Sequence, residues 1–213
     1  GDGCHEAMSL KGTHHTSSTD RRHHQIEKLK NVLRKTKPVG LNRFENSGEH
    51  SWHVCLVALL FKEYSNFEIN IDRVIKMLLI HDLGEIDAGD TIVYSCENKE
   101  IKELEAASIR RVFNLLPSHL AAELSDLWHE FEEGITPDSI YAKSIDRIPP
   151  LLHNIYGNGH SWKEHNISAA QVYGLNSRIG KGSELVWENL KQKLKTAESE
   201  GILKQYTSGT PPF

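Results

Sequence analysis

The chain has 213 residues, of which 38% are hydrophobic and 25% charged, so one compact domain with a real core is expected and wholesale disorder is excluded. Its formal charge of −4 lacks the basic excess of a phosphate-tracking protein, which argues against long DNA or RNA as a partner; a small anion stays open, because a bound cation can override net charge locally. No run of about 18 apolar residues suggests a membrane span, and Cys4, Cys55 and Cys96, scattered and odd in number, suit a reducing cytoplasm better than a disulfide framework.

The first 24 residues are polar, carry the pairs His14-His15 and His23-His24, and read as a mobile leader without a signal-peptide core. Over residues 20–35, Ile26, Leu29, Val32 and Leu33 make a helical apolar stripe that Pro38 and Gly40 end. A second helix is expected at 49–64 and a third at 72–83. The stretch Met77-Leu78-Leu79-Ile80 is apolar all round and marks the third as central and buried. Residues 84–97 look irregular. Helices follow at 98–116, before Pro117, and from the N-cap candidate Ser118 to about 133, where Gly134 stops it. Thr136-Pro137 reads as N-cap and first-turn proline of the next helix, which Pro149-Pro150 kinks or breaks. Gly157-Asn158-Gly159 is a loop, 167–177 a short helix, and Ser183 caps a last helix over 184–200 closed by Gly201. No segment alternates as a strand does, so the expected class is all-α: a leader at 1–24, one helical domain at 25–203 and a loose tail at 204–213.

The chemistry centres on His81-Asp82, which closes the most apolar helix. An ionised Asp buried beside a His costs several kcal/mol unless something compensates, and a divalent cation would do so. Taken alone, the pair is weak evidence for a metal and fits better a helix end where His81 meets free carbonyls and Asp82 faces water. Asp146 stands in a mostly apolar helix and needs a partner, which Arg147 could be. With His50, these residues supply two imidazoles and two carboxylates from three helices, an N/O set suited to hard or borderline first-row cations; no thiolate joins them. His53, three residues after His50, offers a rival pairing. The four tryptophans, Trp52, Trp128, Trp162 and Trp187, read as packing residues, and His119, His129, His153, His160 and His165 have no partner visible in sequence.

His50, then His81-Asp82, then Asp146 resembles the H…HD…D signature of the HD superfamily, in particular the branch of bacterial 5′-deoxynucleotidases and HD-domain-containing protein 2. The words Arg43-Phe-Glu-Asn-Ser-Gly-Glu-His50, His81-Asp-Leu-Gly-Glu85, Gly89-Asp90-Thr91 and Ala142-Lys-Ser-Ile-Asp146-Arg147 carry the resemblance, over roughly residues 26–200. It implies an HD-type helical bundle in which His50, His81, Asp82 and Asp146 bind one divalent ion: Mn, Co, Fe, Mg or Zn. It also implies that Glu85 is the general acid or base, that Asp90 orients the attacking water, and that Arg43 meets phosphate. Read without it, Glu85 is a surface acid past a helix end, Asp90 a turn residue and Arg43 a solvated cation. The branch's Arg-Trp pair is replaced by Val32-Leu-Arg-Lys-Thr36, which keeps a phosphate-binding cation, Arg34 before Lys35, but has no tryptophan to select the sugar.

The expected function is that of a metal-dependent phosphohydrolase acting on a small phosphate ester, a nucleoside 5′-monophosphate first, in the cytoplasm and compatible with a two-fold homodimer. The alternatives are a non-catalytic nucleotide-binding or regulatory protein on the same fold, and a phosphodiesterase on a small substrate.

Overall fold

The computed structural model describes residues 12–95 and 98–204. Cys4, Cys96, the first 11 residues of the expected leader and nearly all of the expected tail lie outside the described residues. The regular elements among the described residues are all helices: α1 Gly12–Glu27, α2 Ser47–Leu60, α3 Ile71–Ile80, α4 Glu85–Ala88, α5 Lys99–Phe113, α6 Ser118–Glu133, α7 Pro137–Asp146, α8 Ile148–Tyr156, α9 His160–Glu164, α10 Ala169–Asn176, α11 Arg178–Gly182 and α12 Glu184–Ser199, with short 3-10 turns at Lys28–Asn31 and Lys62–Tyr64. Among them the only β-pairing is an isolated bridge between Leu33 and Asn46, and no helix is long and apolar enough to cross a membrane.

The core is centred on α3, which packs on α2, α6 and α7. Val74, Met77 and Leu78 are fully buried. Leu79 is the exception to the reading of α3 as buried all round. It is 50% exposed, since a helix packed on three neighbours still keeps one open side. α7 is locked to α2 by the Tyr141 hydroxyl, which donates to the Ala58 carbonyl at 2.8 Å. It is locked to α11 at Gly182, where a Cβ would stand 2.7 Å from the Ser144 Cβ, so only glycine permits that approach.

Local chemistry sets the helix ends. Thr136 accepts from the Ser139 amide with Pro137 behind it, and Gly134 ends α6 in the left-handed region at φ 63°. Ser183 accepts from the Val186 amide to start α12. Pro149 and Pro150 sit in the first turn of α8, where the missing amide hydrogens cost nothing, and the chain breaks at Arg147. Ser118 is not the cap of α6: it is already helical, and Pro117 precedes it without a side-chain hydrogen bond.

The largest departure lies at 12–36. The helix begins at Gly12, inside the expected leader, and ends at Glu27. After the 3-10 turn, Val32 is extended and the chain pairs with 45–47 instead of continuing as a helix. The Arg34 amide donates to the Glu45 carbonyl, the Glu45 amide to the Thr36 carbonyl and the Ser47 amide to the Val32 carbonyl, at 2.8–2.9 Å. β-branched Val32 and Thr36 favour that conformation, and in it Leu33 is 56% exposed. Trp52 corrects the packing assignment as well: it is 62% exposed, whereas Trp128, Trp162 and Trp187 are buried.

Candidate metal centre

The mutual packing of α2, α3 and α7 brings the ends of three elements together. His50 stands in the first turn of α2, whose start is fixed by a capping box. Asn46 Oδ1 accepts from the Glu49 amide at 2.9 Å and Glu49 Oε1 from the Asn46 amide at 2.8 Å, an arrangement worth about 1 kcal/mol. His81 and Asp82 follow α3 in a tight turn that Trp128 Nε1 holds by donating to the His81 carbonyl at 3.3 Å. Next to them Gly84 lies against α5 so closely that a Cβ would stand 3.0 Å from the Glu105 carbonyl oxygen. Asp146 ends α7.

The donor atoms converge. His50 Nε2 and His81 Nε2 lie 2.8 and 3.1 Å from the same Asp146 Oδ1, and His81 Nε2 is 3.1 Å from Asp82 Oδ1. His81 Nδ1 is 2.7 Å from the Leu78 carbonyl, which can only accept, so Nδ1 donates and Nε2 is the nitrogen turned to the carboxylates. His50 Nδ1 faces Glu45 Oε2 at 3.4 Å, a carboxylate behind a histidine, as in many metal sites. Nitrogen and oxygen lone pairs gathered in this way repel unless positive charge lies between them. Their spacing matches neighbouring donors of an octahedron with bonds of about 2.1 Å, which stand about 3 Å apart. Two imidazoles, two carboxylates and no thiolate therefore fit a hard or borderline divalent cation. The electrostatics agree. Burial opposes charge on His81, yet Asp82 and Asp146 outweigh it and lift its pKa to about 9. Burial would raise Asp146, but His81 and His50 hold it well below the usual carboxylate range.

Around this cluster the structure gathers three further residues singled out in the sequence. Arg34 Nη1 donates to Asp82 Oδ2 at 2.8 Å and stands 3.9 Å from Asp90 Oδ1, while its Nε is 3.3 Å from Glu45 Oε2. Burial works against its charge, but Asp82, Glu85, Asp90 and Asp146 raise its pKa above the ordinary value. Glu85 accepts from the Ser47 hydroxyl at 2.6 Å, and burial together with Asp82 pushes its pKa well up. Burial also raises Asp90, against the pull of Arg34. A cavity of 260 Å³ opens beside the cluster, walled by His81, Asp82, Glu85 and Asp146 and supplied with cations by Lys143 and Arg178.

Arg43 is not drawn in. It is half exposed and makes a two-pronged contact with Glu49, at 2.6 and 2.9 Å. Asp87 is exposed but paired, in a fork with Arg111. Sequence reading missed Glu45, Ser47, Lys143 and Arg178. Lys143 had a usable signal, since it lies three residues before Asp146 on the same helix face. Arg178 had none, because it reaches the cavity from α11 by tertiary packing alone.

Comparison with known proteins places these residues in a family context. The chain is 28% identical over 134 residues to the 5′-deoxynucleotidase HDDC2 of Xenopus laevis, covering 60% of this chain and 65% of that protein. It is 36% identical over 86 residues to the 5′-deoxynucleotidase HDDC2 of Dictyostelium discoideum, covering 40% and 45%. The matched region thus spans about half to two thirds of these relatives' length. A crystal structure described as a predicted metal-dependent phosphohydrolase from Magnetospirillum magnetotacticum MS-1 superposes with a TM-score of 0.84 at 38% identity, over 92% of this chain and 99% of that one. A conserved hypothetical protein from Pyrococcus furiosus, at 22% identity and a TM-score of 0.53, shares the fold. The model of the HD domain matches residues 26–187, a span that holds every residue of the cluster described above, and the chain belongs to the HD-domain family.

Proposed function

We propose that the chain is a metal-dependent phosphomonoester hydrolase that removes phosphate from nucleoside 5′-monophosphates. The observation that carries this reading is the convergence of His50, His81, Asp82 and Asp146 within 2.8–3.1 Å contacts beside a cavity also lined by Lys143 and Arg178. The names of the similar proteins, 5′-deoxynucleotidase and metal-dependent phosphohydrolase, support it. A divalent cation bound by these four residues would polarise a phosphoryl oxygen and make a water nucleophilic near neutrality.

The chain's own residues supply the rest. Arg34, bonded to Asp82, holds that carboxylate in place, while Lys143 and Arg178 draw the phosphate into the cavity. Arg43 is left out of this role because Glu49 occupies its fork. Asp90 orients water. Glu85, whose proton affinity burial and Asp82 raise, protonates the leaving sugar oxygen as the P–O bond breaks. With no tryptophan beside Arg34, ribose and deoxyribose substrates should be turned over comparably. The test is a phosphate-release screen over nucleoside monophosphates with Mn²⁺, Co²⁺, Fe²⁺, Mg²⁺ and Zn²⁺ and a metal-stripped control. Release from bis-p-nitrophenyl phosphate exceeding that from every monophosphate would reject the monoesterase reading. A cytoplasmic location and a two-fold homodimer belong to the same proposal, the latter to be read from mass by light scattering.

A further inference from the structure

His53 stands one helical turn after His50, yet it belongs to a different group. Its ring stacks with that of His153 from α8, centroids 6.4 Å apart and planes 25° from parallel. Glu45 completes the group: one carboxylate oxygen and one nitrogen from each ring all lie within 4.8 Å of one another. Glu45 and His153 are buried, at 2% and 5% exposure, and His53 is half-buried, so the group has an inner wall and an open side. The Thr36 hydroxyl lies 2.9 Å from His153 Nδ1 and holds the ring by one nitrogen, leaving the other for a ligand. Burial drives His153 down to about 4, which keeps it a neutral donor at neutral pH. The charged and titratable groups facing it are Glu45, His53, His50 and Arg34.

We propose that Glu45, His53 and His153 form a second divalent-cation site, separate from the His50–His81–Asp82–Asp146 cluster and suited to a first-row ion such as Zn²⁺ or Co²⁺. Two imidazoles and one carboxylate are the donors such ions select, with water completing the shell. Bonds of about 2.0–2.2 Å require the donors to draw closer than in the ion-free arrangement, a change that rotation of the half-exposed His53 supplies. The site offers one carboxylate against the two of the first centre, so it binds more weakly than the first. His53 and His153 tell this site apart from the first centre, since neither lines the cavity beside His81, whereas Glu45 also stands 3.4 Å from His50 Nδ1.

The full chain is stripped with chelator, loaded with Co²⁺, desalted, and read by elemental analysis and by the absorption of bound Co²⁺. Relative to the parent, His53→Ala should hold one equivalent fewer, as should His153→Asn, whose amide keeps a polar group for the Thr36 hydroxyl. His81→Ala should lose a different equivalent, so the His53→Ala/His81→Ala pair loses both. Reading differences rather than totals removes any contribution from His14-His15 and His23-His24, which every sample shares. Equal Co²⁺ content in parent, His53→Ala and His153→Asn would overturn the proposal and leave the two rings as a packed stack. Loss in His81→Ala alone upholds the first centre and rejects the second; loss in His53→Ala and His153→Asn alone does the reverse.

Discussion

His81 and His153 are both buried imidazoles near the same end of the bundle, and their proton affinities move in opposite directions. His153 meets mainly desolvation and falls to about 4, whereas His81 meets two carboxylates and rises to about 9. Burial is thus similar for both, and the number of carboxylates facing each ring decides which way its proton affinity moves. A buried histidine alone is therefore a poor sign of a catalytic centre; a buried histidine facing two acids on separate helices is a good one.

The comparison can be broken most severely at Asp146, whose single oxygen touches both His50 and His81. Asp146→Ala should lose the bound ion and reduce phosphate release to background, and in the metal-stripped variant the His81 pKa, followed by NMR, should fall. Glu85→Ala should cost about 10²–10⁴-fold in kcat with metal content unchanged, since it removes proton transfer alone; full activity in that variant would remove Glu85 from the mechanism. Glu45→Gln should weaken metal binding at the His50 centre by about 10–100-fold, measured by competition with a chelator, because the carboxylate behind the imidazole is lost.

The His153 side is tested by pH. Its folded pKa lies below the unfolded value of about 6.5, so the unfolded chain takes the proton first. The contribution to stability is complete above about 6.5 and declines as pH drops toward 4, by about 3 kcal/mol at most. Urea unfolding of metal-stripped protein across that window should show the decline, and His153→Asn should flatten it. The smallest effect belongs to Arg43→Ala: phosphate release should stay near the parental rate, because its fork is spent on Glu49.

Elements with local punctuation were legible in the sequence. Thr136-Pro137, Gly134 and Ser183 act where their chemistry says they should, and the family words found the four converging residues. The segment 32–36 was misread because its apolar spacing fits a helix while its backbone partners, 45–47, lie across a loop that periodicity cannot see. Glu45 was invisible for the same reason: a buried acid acquires meaning only from what it faces, here His50, Arg34 and His153. Trp52 shows the limit of composition, since a large apolar ring on a short helix can as easily point outward.

The capping box at Asn46 and Glu49 has a consequence for mutational scanning. Neither side chain contacts Asp146 or the two histidines at the centre, yet together they fix where α2 starts and hence the rotational phase of His50 one turn later. A library screened for turnover should therefore rank Asn46 with the chemical residues, while a thermal melt of the same variant registers only the modest penalty of a lost helix cap. Sensitivity out of proportion to melting temperature would thus mark residues that aim the machinery rather than operate it.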